Sequence, residues 1–208
     1  VSAAALATLR VLAASQLAGE KPHLVWTGGS TSLGNLGFVS AAFELAEQVE
    51  QGLLPKPAEI LVPLGSGGTF AGLVLGLALA GLDTRVRGVL VTDILPPSPR
   101  ALARAARATL KRMRRLAPEV PGVDLRASDF PIDASELGPG YGVATSAGTA
   151  AQACARELAL ELDATYTAKC FAALIARAKR GDLPSGPVLF WNTYAGELSP
   201  DQERPPPA

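Results

Sequence analysis

The sequence predicts an α/β fold, an open and mostly parallel twisted sheet with helices on both faces. Two observations carry that prediction. Short apolar runs rich in β-branched residues alternate with longer helical runs, and small-residue loops join the two kinds. The clearest unit is Glu59–Gly76. Ile60-Leu61-Val62-Pro63-Leu64 reads as a buried strand, Gly65-Ser66-Gly67-Gly68-Thr69 as a tight turn, and Phe70–Ala80 as a buried helix.

Taken in order, Ala3–Leu17 has helical composition and is stopped by Gly19. His23–Trp26 reads as a short strand, Gly28–Gly34 as a second small-residue loop, and about Asn35–Gln51 as a helix. Gly52, Pro55 and Pro57 break the chain before the central strand. Beyond the Phe70–Ala80 helix, Gly81 turns the chain into a strand over Arg87–Thr92. Pro96-Pro97-Ser98-Pro99 leads stiffly into a basic helix. Pro118–Pro139 is loop-rich with a possible strand at Val123–Arg126, and Gly138–Gly142 is a compact turn. Helices follow over Ser146–Leu162 and Ala168–Arg180, and the last strand is Pro187–Trp191.

Composition narrows the function. The chain has 208 residues, 48% of them hydrophobic, and zero net charge, as expected of a soluble globular protein with a real core. Neutrality argues against a nucleic-acid partner. Seven Arg and Lys residues fall within Arg100–Arg115, but they follow a helical apolar stripe and read as a solvated face. Cys154 and Cys170 have neither metal spacing nor disulfide density, and His23 is the single histidine, so a metal site or a Ser-His-Asp triad has little material. No long uncharged apolar run or signal peptide is visible, so no membrane partner and a cytoplasmic location are expected. The chain opens on Val1 and passes straight into a helix, which reads as a fragment.

The glycine turn at Gly65–Thr69 admits two readings. It is either a plain strand-to-helix turn with packing glycines or a phosphate cradle, in which backbone N–H groups and the positive end of the helix hold an anion. Neither Gly-Lys-Ser/Thr nor G-x-G-x-x-G spacing is present, so a small phosphorylated ligand fits better than a nucleoside triphosphate. Ligands of open parallel sheets sit beyond the carboxyl ends of the strands. Gly28, Ser30, Gly65–Thr69, Asp93 and Thr193 all fall at such ends, which favours the cradle. A flavodoxin-like or other doubly wound domain would share this alternation.

Five phrases in order add a resemblance. Trp26–Val49, GSGGTFAGLVLG from Gly65, GPGYGVATSAG from Gly138, DATYTAKCFAALI from Asp163 and VLFWNTYAG from Val188 resemble D-cysteine desulfhydrases and aminocyclopropane-carboxylate deaminases. The resemblance implies the tryptophan-synthase-β-like fold, with pyridoxal 5′-phosphate as cofactor and a lyase or deaminase acting on a small amino acid, in the full-length form as a homodimer. It implies that Gly65, Ser66, Gly67, Gly68 and Thr69 hold the cofactor phosphate, that Tyr166 lies against the ring and Tyr141 close to substrate, and that Thr193 lies near the pyridine nitrogen. Tyr194 stands where the family carries glycine. The family's Schiff-base lysine lies in an N-terminal segment with no match here. Lys21, Lys56, Lys111, Lys169 and Lys179 are all poor substitutes for it. The expected organisation is a helix from the end of a small domain over residues 1–20, a phosphate-binding domain over 21–198 and a disordered tail over 199–208. Such a chain would be a carboxyl-terminal part lacking most of the small domain and inactive alone. The alternative is a non-catalytic remnant of the same fold that binds a phosphorylated ligand.

Overall fold

Among the described residues the sheet has four parallel strands in the order β3-β2-β1-β4, with β1 at Glu59–Leu64, β2 at Arg85–Leu90, β3 at Ile132–Asp133 and β4 at Val188–Phe190. The structure is a computed structural model that describes residues 3–22, 25, 27–194 and 196. The expected strand at 23–26 and the tail at 199–208 therefore lie largely or wholly outside the described residues. β1 pairs with β2 from Glu59 against Arg85 to Leu64 against Leu90, and with β4 on its other side.

All six β1 residues are buried, because this strand is covered on both faces. The two-residue period sends Ile60, Val62 and Leu64 into one core cluster and Leu61 into another. The first cluster is closed by α2 (Leu36–Glu50), α3 (Gly68–Ala80) and α4 (Pro99–Leu116). The second meets α6 (Thr167–Arg180) through Cys170 and Ala173, and α5 (Ser146–Glu157) packs beside α6. The expectation of helices on both faces is therefore met. Each such side chain contributes roughly 1.5–3 kcal/mol by leaving water. α2 and α3 cross closely, since a Cβ on Gly76 would lie 2.5 Å from Ala42 Cβ. The first helix, α1, spans Ala3–Leu17, and its Leu6, Leu9, Val11 and Leu17 are exposed.

Helix ends follow local chemistry. Ser98 accepts the Ala101 N–H ahead of Pro99, Thr145 accepts the Gly148 N–H, and Gly81 and Gly181 close their helices in the left-handed conformation. Three expectations shift. β2 ends at Leu90 rather than Thr92, because the Thr92 hydroxyl accepts the Ile94 N–H and turns the chain. No strand forms over Val123–Arg126. There, Arg107 donates to the Leu125 carbonyl and Asp129 accepts the Arg126 N–H, so side chains satisfy the backbone. α5 ends at Glu157, five residues before Leu162, where the chain bends back through Ala159 at φ 56.

Among the described residues no helix is long and apolar enough to cross a membrane. None of them form a group of three or more His, Cys, Asp or Glu suited to a metal ion.

Candidate functional site

β1 delivers Gly65–Thr69 to the carboxyl edge of the sheet, where α3 begins. Gly67 precedes the helix at φ +94 and, as a glycine, offers no capping side chain of its own, so the first N–H groups of α3 face this loop. A Cβ on Gly67 would lie 2.5 Å from Leu102 Cδ2, so conformation and contact with α4 both require glycine.

The loop at 28–34 folds over this turn. Ser30 Oγ lies 2.7 Å from Ser66 Oγ and accepts the Gly68 N–H at 3.0 Å. A Cβ on Gly68 would meet Ser30 Oγ at 2.6 Å and Asn35 Oδ1 at 2.8 Å. Between the two loops lies a cavity of about 220 Å³. Gly65, Ser66, Gly67, Gly68, Thr69, Tyr166 and Thr193 line it, together with Ser30 and Asn35. The predicted phosphate loop, one predicted tyrosine and the predicted threonine thus converge on one space. Tyr194 lies outside the lining and outside the left-handed region, so its bulk does not fill the cavity.

Tyr166 packs against the turn, as a Cβ on Gly65 would come within 3.0 Å of its Cε1. Tyr141 does not line the cavity. It reaches the site through its partner, with the two phenol oxygens 2.8 Å apart and the rings edge to face at 5.8 Å. Burial, then the hydrogen bond and charge of Tyr141, and lastly the Asp163 carboxylate push the Tyr166 phenol up to about 12.

Asp163 sets the Tyr166 backbone. Its carboxylate accepts the N–H groups of Thr165, Tyr166 and Thr167 at 2.7–3.0 Å and the Thr167 hydroxyl at 2.7 Å. Burial pushes that carboxyl up, but these four bonds, led by those from Thr167, hold it below the ordinary range. Sequence reasoning assigned Asp163 no role, although an acidic residue just ahead of an apolar-periodic helix is a start signal.

Asn35 was also missed. It is buried, its Nδ2 donates to Thr109 Oγ1 at 3.1 Å, and its Oδ1 has no partner among the described residues. No local signal could reveal a bond that spans 74 positions.

The chemistry of this set fits a phosphate. The N-cap Gly67 brings no side chain of its own, the glycines admit close approach, and Ser66 and Thr69 add hydroxyls beside the Gly68 N–H that Ser30 Oγ accepts. No lysine lines the cavity. Lys21, Lys56, Lys111 and Lys179 are exposed, and the buried Lys169 donates to the carbonyls of Leu137 and Gly140 at 2.9 and 2.8 Å.

Known proteins resemble this chain in sequence and fold. A family model described as "Pyridoxal-phosphate dependent enzyme" matches residues 2–193. The D-cysteine desulfhydrase of Salmonella schwarzengrund (strain CVM19633) is 32% identical over 177 residues, covering 84% of this chain and 51% of that protein. The D-cysteine desulfhydrase of Salmonella newport (strain SL254) is 31% identical over 178 residues with the same shares. The crystal structure of an ACC deaminase homologue superposes with a TM-score of 0.67 at 27% identity, over 89% of this chain and 53% of that one. The chain spans about half the length of the curated relatives it matches.

Proposed function

We infer the function from one premise: the chain belongs to the pyridoxal-phosphate-dependent enzyme family. On that premise the cavity at the carboxyl edge of β1 is the cofactor site of a lyase or deaminase acting on a small amino acid. The chemistry is of the D-cysteine desulfhydrase or aminocyclopropane-carboxylate deaminase kind. The observation that carries the reading is the convergence of Gly65, Ser66, Gly67, Gly68, Thr69, Tyr166 and Thr193 on one cavity.

Each residue has a task. Gly65–Thr69 bind the phosphate with backbone N–H groups, and Ser66 and Thr69 add hydroxyl donors. When bound, pyridoxal phosphate supplies an electron sink at the α-carbon of an amino acid. Thr193 offers a hydroxyl, which unlike a carboxylate does not hold a ring nitrogen protonated. That favours β-elimination or ring opening over transamination. Tyr166 keeps its proton on Oη at neutral pH and orients the Tyr141 phenol, which is 44% exposed and is the member of the pair that meets substrate. In either chemistry the nitrogen leaves as ammonia, water is taken up and a keto acid results, and in the desulfhydrase kind sulfide is eliminated as well.

None of the five lysines lines the cavity, so the lysine that bonds the cofactor comes from sequence outside these 208 residues. The same observation favours a second reading, a non-catalytic binder of a phosphorylated ligand. Both are tested by titrating the purified chain with pyridoxal phosphate and with inorganic phosphate, recording spectra before and after borohydride. The expected result is phosphate binding, weakened at least tenfold in Gly67→Ala, with the spectrum of free cofactor and no label fixed on the chain. A reduced adduct on a lysine of this chain would overturn the assignment of that lysine to outside sequence. No phosphate binding would overturn the cavity as the site. Sequencing the coding DNA upstream of Val1 separates the two readings, since an open frame with an Asn-Lys motif belongs to the enzyme and a native start codon to the binder.

A further inference from the structure

We propose that Lys169 and Asp93 form a clamp that positions the Tyr141 phenol against Tyr166 at the mouth of the cavity. The starting point is an anomaly. Lys169 is fully buried, yet it makes no ion pair among the described residues. An ammonium withdrawn from water is costly without compensation. What it obtains instead is two backbone carbonyls, Leu137 O at 2.9 Å and Gly140 O at 2.8 Å. Both belong to the turn that ends in Tyr141.

The opposite side of that turn is held by Asp93. Its Oδ1 accepts the Tyr141 N–H at 2.9 Å, and a Cβ on Gly140, at φ +138, would lie 2.9 Å from the same oxygen. Asp93 stands three residues beyond the carboxyl end of β2. It is also near enough to Lys169 to favour the charged ammonium against the effect of burial.

Spacing closes the circuit. Tyr166 and Lys169 are three residues apart at the start of α6, so both project from one helix face. The ammonium fixes Gly140, Gly140 precedes Tyr141, and the Tyr141 phenol returns to Tyr166 Oη at 2.8 Å. A half-exposed tyrosine on an irregular turn would otherwise sample several rotamers. With its backbone held by a cation on one side and a carboxylate on the other, the phenol is kept within hydrogen-bond reach of Tyr166 Oη.

The clamp matters for catalysis only if the cavity is the reaction site proposed above, but it can be tested without cofactor. In the full 208-residue chain, tyrosine ionisation is followed by ultraviolet absorbance in the wild type, Tyr141→Phe, Lys169→Met and Asp93→Ala, with inorganic phosphate affinity measured in parallel. Tyr141→Phe lowers the Tyr166 titration from about 12 toward the ordinary tyrosine value of about 10. Lys169→Met and Asp93→Ala are expected to reproduce that shift with phosphate affinity changed less than about twofold, because neither residue lines the cavity. Asp93 is exposed, so Asp93→Ala decides the matter if Lys169→Met does not fold. A Tyr166 titration that stays at about 12 in the folded variants while Tyr141→Phe lowers it would overturn the clamp. Loss of phosphate binding in the wild type would count against the cavity assignment and leave the clamp to the phenol readout.

Discussion

Glu59→Gln tests how the sheet is held at the end remote from the site. Glu59 opens β1 with a side chain 2% exposed, and it accepts hydrogen bonds from Arg87 Nε at 2.9 Å and Arg177 Nη1 at 2.5 Å. The Arg87 side chain is 21% exposed and can recover water, whereas Arg177 is 8% exposed and cannot. Arg177 Nη2 keeps the Asp182 carbonyl at 2.9 Å, which answers one donor but not the charge. Removing one partner of a buried ion pair costs about 3–5 kcal/mol. For a domain of this size each kcal/mol moves the melting temperature by about 2–4 °C, so a fall of roughly 6–20 °C is expected by calorimetry. Glu59→Gln combined with Arg177→Met removes the stranded charge and is expected to recover most of the loss. The six residues of β1 span about 20 Å, so phosphate affinity well below the melting point is expected to stay within about twofold of wild type. A fall of less than about 2 °C, or a double variant as unstable as the sum of the singles, would refute the buried-charge reasoning.

Two further outcomes are expected. Asp163→Asn weakens the start of α6 by about 1 kcal/mol at pH 7, as loss of a helix cap does. The native Asp163 carboxyl lies below its ordinary value, so its contribution is fully present above the unfolded pKa of about 3.9. It is lost as pH falls through the lower folded value. Urea midpoints of wild type and variant should therefore differ at pH 7 and converge toward pH 2, and a difference independent of pH would contradict the assignment. Gly76→Ala places a methyl group 2.5 Å from Ala42 Cβ and 2.7 Å from the Val39 carbonyl, with an expected destabilisation of about 1–3 kcal/mol in urea. An unchanged midpoint would mean that α2 and α3 separate more easily than their contact implies.

Much of this molecule is legible in one dimension. Alternation of apolar runs, Ser98-Pro99 and Thr145 at helix starts, and Gly81 and Gly181 at helix ends are local signals, because a backbone N–H or carbonyl at a helix end is satisfied within a few residues. The glycine turn is equally local, and its placement after a buried strand puts Gly65–Thr69 at the carboxyl edge of the sheet. Thr193 could be grouped with it because parallel strands present their carboxyl ends on one side.

Tertiary structure decided the rest, and the reason is sequence distance. Glu59 and Arg177 pair across 118 positions, Asn35 and Thr109 across 74, and Tyr141 and Tyr166 across 25. Lys169 reads from sequence as a poor cofactor lysine. Only the folded turn at Leu137–Tyr141 shows why a buried ammonium stands there, with two carbonyls as its partners. The sequence by itself determined the layers of this protein and the edge of the sheet at which the Gly65–Thr69 turn lies. Packing alone decided which buried charges meet and which tyrosine faces the cavity, because a contact between distant residues leaves no periodicity to read.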